Sequence, residues 1–371
     1  MKKILIWDKV ATGHHVEWLE HLYSTVLADT KNQYIFCVNK DLFGKSSINW
    51  VMRDNIQIET LSESSKSTIG GKIELLKKIL KYSPDKLFLM QITDIIPDVI
   101  VFSLLFWRIR IYGVLYKIYL YSWLQSSKAE KIKNIIIFSL YKTHVIKGIF
   151  TLNDRASARL LNRIWKTKKY IYLPDPLPIK KDIAVRDIRR EKGISSDATV
   201  FLHCGALDGR KGTMKILNAI KELEDDRGKR VYCFVGVVNK SISDDYYKSI
   251  DEIKEKHTVF TDNSFVSIQT LCEYIKASDC IILPYSNTSQ SSGIIAYASF
   301  YNKYAAVSRG GMLGHLVKKN NLGGCIESTK EGVLNLIETF RKDSTNREYY
   351  AQTHTYDDFV NTLMPFFNSP A

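Results

Sequence analysis

A chain of 371 residues exceeds what one ordinary hydrophobic core organises and calls for two domains. With 45% hydrophobic and 25% charged residues it is globular rather than disordered, and no stretch reaches the roughly 18 to 20 uncharged apolar residues that cross a bilayer. The net charge of +14 and a pI near 9.3 point to anionic partners (nucleotide, acidic lipid headgroup or nucleic acid) or to a generically lysine-rich protein. The six cysteines, at 37, 204, 233, 272, 280 and 325, stand singly with no Cys-x-x-Cys, as reduced core thiols of a cytoplasmic protein would.

The opening MKKILIWDK has an apolar run only from Ile4 to Trp7 before Asp8 interrupts it. That is too short for a signal peptide and reads as a buried strand. The turn Ala11-Thr12-Gly13-His14-His15 and the amphipathic run Val16, Leu19, Leu22, Val26 complete a strand–turn–helix unit. Tyr34–Val38 and Lys86–Met90 repeat the strand signal, separated by a Ser/Gly-rich loop at Glu63–Gly71 and a helix expected over about Lys72–Lys81. Strand and helix in alternation predict a parallel, doubly wound sheet. Ligands of such sheets bind outside the carboxyl ends of the strands, which puts Gly13, His14 and His15 with Gln91, Thr93 and Asp94 at the mouth of this domain. His14 is there either as a ligand contact or as a helix-start residue, and Asp94 either as a reacting group or as a cap.

Residues 99–147 interleave rings (Trp107, Tyr112, Tyr116, Tyr119, Tyr121, Trp123, Phe138, Tyr141) with Arg108, Arg110, Lys117 and further lysines, and Glu130 is the sole acid between Arg108 and Lys147. This composition fits a helix lying in a lipid headgroup layer. It equally fits a helix packing its rings into the core, and less well a single-stranded nucleic acid contact, for which no accompanying motif is present. Gly148–Asn153 reads as the last strand of this half, followed by a helix over Asp154–Trp165 and a short strand at Tyr170–Leu173. Pro174, Pro176 and Pro178 then mark an extended connector and a domain boundary.

The second half restarts the pattern. A basic helix-like run at Asp187–Gly193 leads to the strand Thr199–Gly205, the loop Ala206–Gly212, a helix over Thr213–Leu223 and the strand Val231–Gly236. Strand-like segments at Val259-Phe260 and Phe265-Val266 precede a helix over Ser267–Ala277. The stretch from Ala277 to Gly324 then opens on the apolar run Cys280–Leu283, ended by Pro284. A polar loop runs from Tyr285 to Ser292 and a helix pattern begins after Gly293. A strand, a small-residue loop and a helix start face backbone amides and a helix dipole toward an anion. Ala305–Ser308 runs into the glycine turn Arg309-Gly310-Gly311.

This second half resembles the donor-binding half of the retaining GT-B glycosyltransferases of family 4 (glycosyl transferases group 1). Their pattern there is a proline-ended strand, Ser-Glu, a Gly-containing loop, a helix with a second Glu, and a strand with a Gly-Gly turn. Ser289-Gln290 stands at the Ser-Glu position, and Ala298, or Tyr297 if the register slips by one, at the second Glu. IFTLND followed by LPDPLP is likewise similar to the family's interdomain segment. The implied fold is α/β, GT-B, with two Rossmann-like doubly wound domains facing across a cleft. The implied division is an acceptor domain at 1–173, a linker at 174–186, a donor domain at 187–345 and a C-terminal helix at 346–371 returning to the first domain.

The resemblance further implies transfer of a hexosyl-type sugar, with retention, from a UDP- or GDP-linked donor to a hydroxyl of a glycan or lipid-linked oligosaccharide, as in polysaccharide biosynthesis. The nucleotide sugar is substrate, and no separate cofactor is implied. Lys211, with Arg210, takes the position of the Lys-Gly element that clamps the diphosphate, where fixed positive groups meet the charge growing on the leaving phosphate. Gln290 would hold the donor sugar through its amide; Asp94, from its place at the strand mouth and not from the resemblance, is the candidate base beside the acceptor. Gly205, Ser291, Ser292, Gly293 and Ile294 would contact the phosphates, Tyr297 the ribose, Asn263 and Phe265 the base, with Gly13 and His14 contributing from the first domain.

No Asp-x-Asp, zinc spacing, Gly-x-x-x-x-Gly-Lys-[Ser/Thr] or Gly-x-Gly-x-x-Gly occurs, so a metal-free reaction is expected and P-loop and NAD readings are disfavoured. Two competing readings remain. One is a non-catalytic glycosyltransferase-like subunit scaffolding a glycan synthase, and the other a sugar-nucleotide epimerase using Asp94, His14 and His15. The expected location is the cytoplasm, with a peripheral position on the inner membrane face through 99–147, and nucleic acid is not an expected partner.

Overall fold

The computed structural model describes residues 1–11, 14–44, 46, 48–95, 98–116, 120, 127–177, 185–225, 228–288 and 292–369. The chain divides into two compact units, Met1–Pro178 with Thr355–Ala371, and Ile179–His354.

In the first unit the apolar runs become strands β1 (Lys2–Asp8), β2 (Asn32–Asn39), β3 (Ile56–Leu61), β4 (Lys86–Leu89), β5 (Arg110–Leu115), β6 (Ile146–Leu152) and β7 (Tyr170–Leu173). They form one parallel sheet in the order β3-β2-β1-β4-β5-β6-β7, with Ile4 of β1 paired to both Tyr34 and Lys86. Helices α1 (His14–Val26), α2 (Thr68–Tyr82), α3 (Val99–Leu105), α4 (Lys128–Leu140) and α5 (Arg155–Ile164) join them. Because strand side chains alternate, β1 feeds two cores. Leu5 and Trp7 pack with Leu75 of α2, Phe102 of α3, Phe138 of α4 and Leu161 of α5, whereas Ile4 and Ile6 pack with Trp18 and Leu22 of α1. Burial on both faces explains why these strands read as unbroken apolar runs.

The second unit contains α6 (Ile188–Glu191), β8 (Thr199–Cys204), α7 (Thr213–Lys221), β9 (Arg230–Val235), α8 (Ser243–Lys254), β10 (Thr258–Asp262) and α9 (Ile268–Ala277). It continues through β11 (Cys280–Leu283), α10 (Gly293–Phe300), β12 (Tyr304–Ser308), α11 (Gly311–Lys319), β13 (Gly323–Ile326), α12 (Lys330–Thr339) and α13 (Tyr349–Gln352). Its parallel sheet runs β10-β9-β8-β11-β12-β13. In each sheet the order reverses once, between β1 and β4 and between β8 and β11. At such a point consecutive connections leave in opposite directions and open a crevice at the strand ends.

The chain then returns as α14 (Tyr356–Asn368), which belongs to the first unit and opens with a capping box between Thr355 and Asp358. Phe359, Leu363 and Phe367 bury in the α1-side core, with Phe367 edge-on to Phe88 at 5.3 Å. Lys86, fully buried in β4, aims its ammonium at the end of this helix. Nζ donates to the carbonyls of Phe366, Phe367 and Ser369, each at 2.7 Å. A cation there meets the negative end of the helix dipole, and desolvation, with Lys2 and Arg110 nearby, lowers its pKa to about 8.

Several sequence expectations shift. Helix α2 begins at Thr68, not near Lys72, because the Ser67 hydroxyl caps it by accepting from the Gly70 amide at 2.9 Å, which draws both glycines into the first turn. Residues 99–147 do not form one basic–aromatic helix: α3, the buried strand β5 and α4 divide them, and Tyr112 and Val114 are core residues of β5. Tyr119, Tyr121 and Trp123 lie outside the described residues. Phe265-Val266 is not a strand, and Phe265 is 91% exposed. Strands β3 and β5 and helix α8 were not anticipated. Among the described residues no helix is long and apolar enough to cross a membrane.

Replacing Lys86 by Met leaves the Phe367 carbonyl without its side-chain donor, whereas Phe366 O keeps Ser369 Oγ and Ser369 O keeps Lys2 Nζ. The expected result is faster amide exchange at the end of α14 and a melting temperature lower by roughly 5 °C. Unchanged exchange there would show that the helix is held by its apolar face alone.

Candidate functional site

A convergence of polar groups lies at the reversal point of the second sheet. Strand β8 ends at Cys204, and Gly205 follows with φ of +99°, a conformation that side chains other than glycine rarely adopt. The loop to α7 folds back on Asp208, whose Oδ1 accepts from the Lys211 amide at 2.6 Å. Gly212 caps α7 with φ of +78°, and a Cβ there would press within 2.5 Å of the Pro284 carbonyl oxygen. The two loops are therefore in backbone contact, and the Ser286 amide donates to the Arg210 carbonyl at 2.9 Å.

This contact brings Lys211 to Tyr285. Its Nζ donates to Tyr285 Oη at 2.6 Å and sits 3.9 Å from the ring centroid, a cation held by both hydroxyl and π face. Tyr285 Oη lies 3.3 Å from the hydroxyl of buried Ser292, the residue preceding α10. Lys211, Tyr285 and Ser292 thus form one polar line that ends at the residue preceding α10. First-turn amides have no acceptor within their own helix and carry the positive end of its dipole. A second cation stands beside them: Lys215 Nζ donates to Ser286 Oγ at 3.1 Å and Ser328 Oγ at 2.8 Å. Burial pushes the Lys215 pKa down. From β12, Ser308 Oγ donates to the Tyr285 carbonyl at 2.7 Å, and the Met312 amide donates to Thr288 O at 2.8 Å.

His203 holds the frame beneath. Its imidazole is buried, with Nδ1 2.9 Å from the Ile282 carbonyl of β11 and Nε2 3.0 Å from Thr213 Oγ1 at the start of α7. A carbonyl can only accept, so Nδ1 carries the proton and Nε2 accepts from the threonine. Burial lowers the pKa to about 4, which keeps the ring neutral.

The other sequence-predicted residues distribute as follows. Arg210 shares the Lys211 loop but is 53% exposed, with Nη2 3.5 Å from Asp208 Oδ2. Gly293 and Ile294 open α10, and Tyr297 is buried one turn in. Asn263 follows β10, two strands from β8, and its Oδ1 accepts from Tyr246 Oη at 2.8 Å. Gln290 and Ser291 lie outside the described residues, as does Gly13. His14 opens α1 and Asp94 lies in a short 3-10 turn, Ile92–Ile95; both belong to the other unit, and only their backbone is described.

Sequence reasoning missed Tyr285, Lys215 and Ser328. Lys215, four residues beyond Lys211, carried a weak spacing signal; the serine and the tyrosine are recruited only by the sheet. In the first unit, at the end of β1, it also missed Asp8. That carboxylate is 2% exposed and its Oδ2 lies 2.8 Å from His15 Nδ1. Burial raises the Asp8 pKa against the opposing pull of His15. His15 stacks on Tyr116 at 5.0 Å, and the Tyr116 hydroxyl is buried without a hydrogen-bond partner among the described residues.

No protein-family model matches the chain, and no curated protein matches it in sequence. Solved structures do match. HepE of Anabaena in complex with UDP and glucose superposes with a TM-score of 0.67 at 13% identity over 100% of both chains. The sucrose-phosphate synthase of Thermosynechococcus elongatus gives 0.70 at 11% identity, over 99% of this chain and 98% of that one. WaaG, a glycosyltransferase involved in lipopolysaccharide biosynthesis, gives 0.63 at 12% identity over 99% and 100%. The chain has the GT-B fold of these glycosyltransferases, as the sequence resemblance implied.

The depressed His203 pKa has a sign that can be tested. The unfolded imidazole protonates below about pH 6.5, whereas the folded one resists until about pH 4. Its contribution is therefore present above pH 6.5 and falls by about 3 kcal/mol as pH drops toward 4. Thermal melts across that window should fall less steeply for His203→Gln than for the wild type. Parallel slopes would contradict the assignment.

Proposed function

We propose that the chain is a glycosyltransferase that takes a sugar from a nucleoside diphosphate, UDP in the first instance, and transfers it to a hydroxyl group. The observation carrying this reading is the junction at the β8–β11 reversal, where Lys211, Lys215 and the start of α10 gather around Tyr285. A sugar nucleotide leaves as a diphosphate, and its departure concentrates negative charge on the distal phosphate. Preorganised cations and amides at that position stabilise the transition state more than the ground state. Lys211 retains N–H donors beyond the one given to Tyr285, so a phosphate oxygen can be added to its shell. That HepE is known in complex with UDP-glucose supports a hexosyl donor.

In the finer form of this proposal the reaction proceeds with retention, by same-face attack assisted by the leaving phosphate, and the two lysines and helix amides do the work a divalent ion does elsewhere. Gln290, Ser291, Gly293, Ile294 and Tyr297 complete the donor contacts. The acceptor is a glycan or lipid-linked oligosaccharide of a polysaccharide pathway, presented at the inner face of the cell membrane. A second reading, a non-catalytic subunit of a glycan synthase, is favoured by Gln290 and by Ala298 (or Tyr297, if the register slips by one), which by the sequence resemblance stand where the family carries its two Glu; Ala298 is fully buried in α10. The two readings differ in turnover.

With UDP-glucose as probe, wild-type protein should release UDP, and Lys211→Ala should lower the rate by about 10²- to 10³-fold. Tyr285→Phe, which keeps the ring and removes the hydroxyl, should lose less. Equal rates in wild type and Lys211→Ala would remove the clamp, and saturable UDP binding without turnover would support the scaffold.

A further inference from the structure

The two faces of the first sheet differ in a way the sugar-nucleotide reading does not use. Helices α1 and α14 cover one face, and among the described residues neither exposes a large apolar side chain. Helices α2 to α5 cover the other, and they expose many. On α3, Ile100, Val101, Leu104 and Leu105 share one side at helical spacing, with Leu104 75% and Leu105 62% exposed, and Trp107, just beyond the helix, is 60% exposed. Neighbouring α4 adds Ile132 and Ile135, and α2 adds Ile69 and Ile73 one turn apart. The inward residues of the same helices, Phe102, Phe138 and Leu75, are fully engaged in the core, so the outward set is not needed to hold the fold.

The chain carrying α3 and α4 is strongly basic, and Glu74 of α2 is engaged by Ser62. Between Val99 and Lys169 the chain carries fourteen Lys and Arg against two acids, Glu130 and Asp154. Glu130 closes the α4 capping box with Ser127, and Asp154 caps α5 and is 2% exposed. Asp98, at the start of α3, is paired with Lys72 of α2. Arg108 lies over the Trp107 ring at 4.7 Å, and Lys128 is exposed at the start of α4. A second copy docking here through a two-fold contact would set this basic rim against itself. A surface of anionic phospholipid supplies the missing charge and accepts the apolar side chains at headgroup depth.

We propose that the outer face of α2, α3 and α4 is a peripheral docking surface for an anionic bilayer. Leu104, Leu105 and Trp107 enter the headgroup layer, and Arg108 and Lys128 contact lipid phosphates. This assignment replaces the single lipid-facing helix expected from residues 99–147 and does not depend on what the second unit binds.

The test is flotation of the full chain with vesicles of phosphatidylcholine alone and of phosphatidylcholine with one quarter phosphatidylglycerol. Binding should favour the anionic vesicles by about tenfold or more and weaken in 0.5 M salt as the charges are screened. The double variant Leu104→Glu/Leu105→Glu should lose at least about tenfold in binding, with unchanged circular dichroism because both residues are exposed. Arg108→Gln alone should lose about fivefold. Equal flotation with both vesicle types, or full binding by the double variant, overturns the proposal. So does a lipid-free dimer in sedimentation that the double variant dissolves, which would assign the face to self-association.

Discussion

The second unit depends on one constraint, the tie between β8, β11 and α7 made by a neutral imidazole. His203 is the residue through which the two strands flanking the reversal and the helix that follows them share hydrogen bonds. With that tie in place, Gly212 can approach the Pro284 backbone and Lys211 arrives beside Tyr285. A protonated imidazole would have no lone pair for Thr213, so burial, which disfavours the charged form, also preserves the geometry. At the site Lys211, Lys215 and the start of a helix outweigh the acid Asp208, and burial keeps the imidazole beneath uncharged.

The first unit solves a different problem. Its sheet is sealed on one side by the returning α14, whose end is fastened by an ammonium buried in β4. A buried lysine is costly unless every N–H finds an acceptor, and the unfulfilled carbonyls of a helix end supply them. The same unit carries Asp8, His15 and Tyr116 at the end of its own reversal strand, a buried carboxylate orienting an imidazole. That arrangement is the kind that positions a proton acceptor.

Much of the architecture was legible in the sequence because parallel strands covered on both faces are unbroken apolar runs. Ile4–Trp7, Thr199–Cys204 and Cys280–Leu283 could not be mistaken for surface segments. Strand β5 escaped because Arg110, Tyr112 and Gly113 break the apolar run, and its rings were read with the neighbouring basic residues as a helix face. The start of α2 was hidden by Gly70 and Gly71, which signal a loop in sequence but sit against the Ser64 and Ser65 backbone where a side chain would collide. At the site, Lys211 and Ser292 were visible from loop position. Tyr285 and Ser328 were not, since no spacing rule links residues 211, 285 and 328; only the strand order does.

The central claim is that fixed cations and amides at the β8–β11 junction recognise the second phosphate of a nucleotide. Calorimetric titration with UDP and UMP, with and without EDTA, tests it most directly. The account predicts that UDP binds at least about tenfold more tightly than UMP, as an additional charge-assisted contact requires, and that EDTA changes neither affinity. Equal affinities for the two nucleotides, or UDP binding abolished by EDTA, would contradict it.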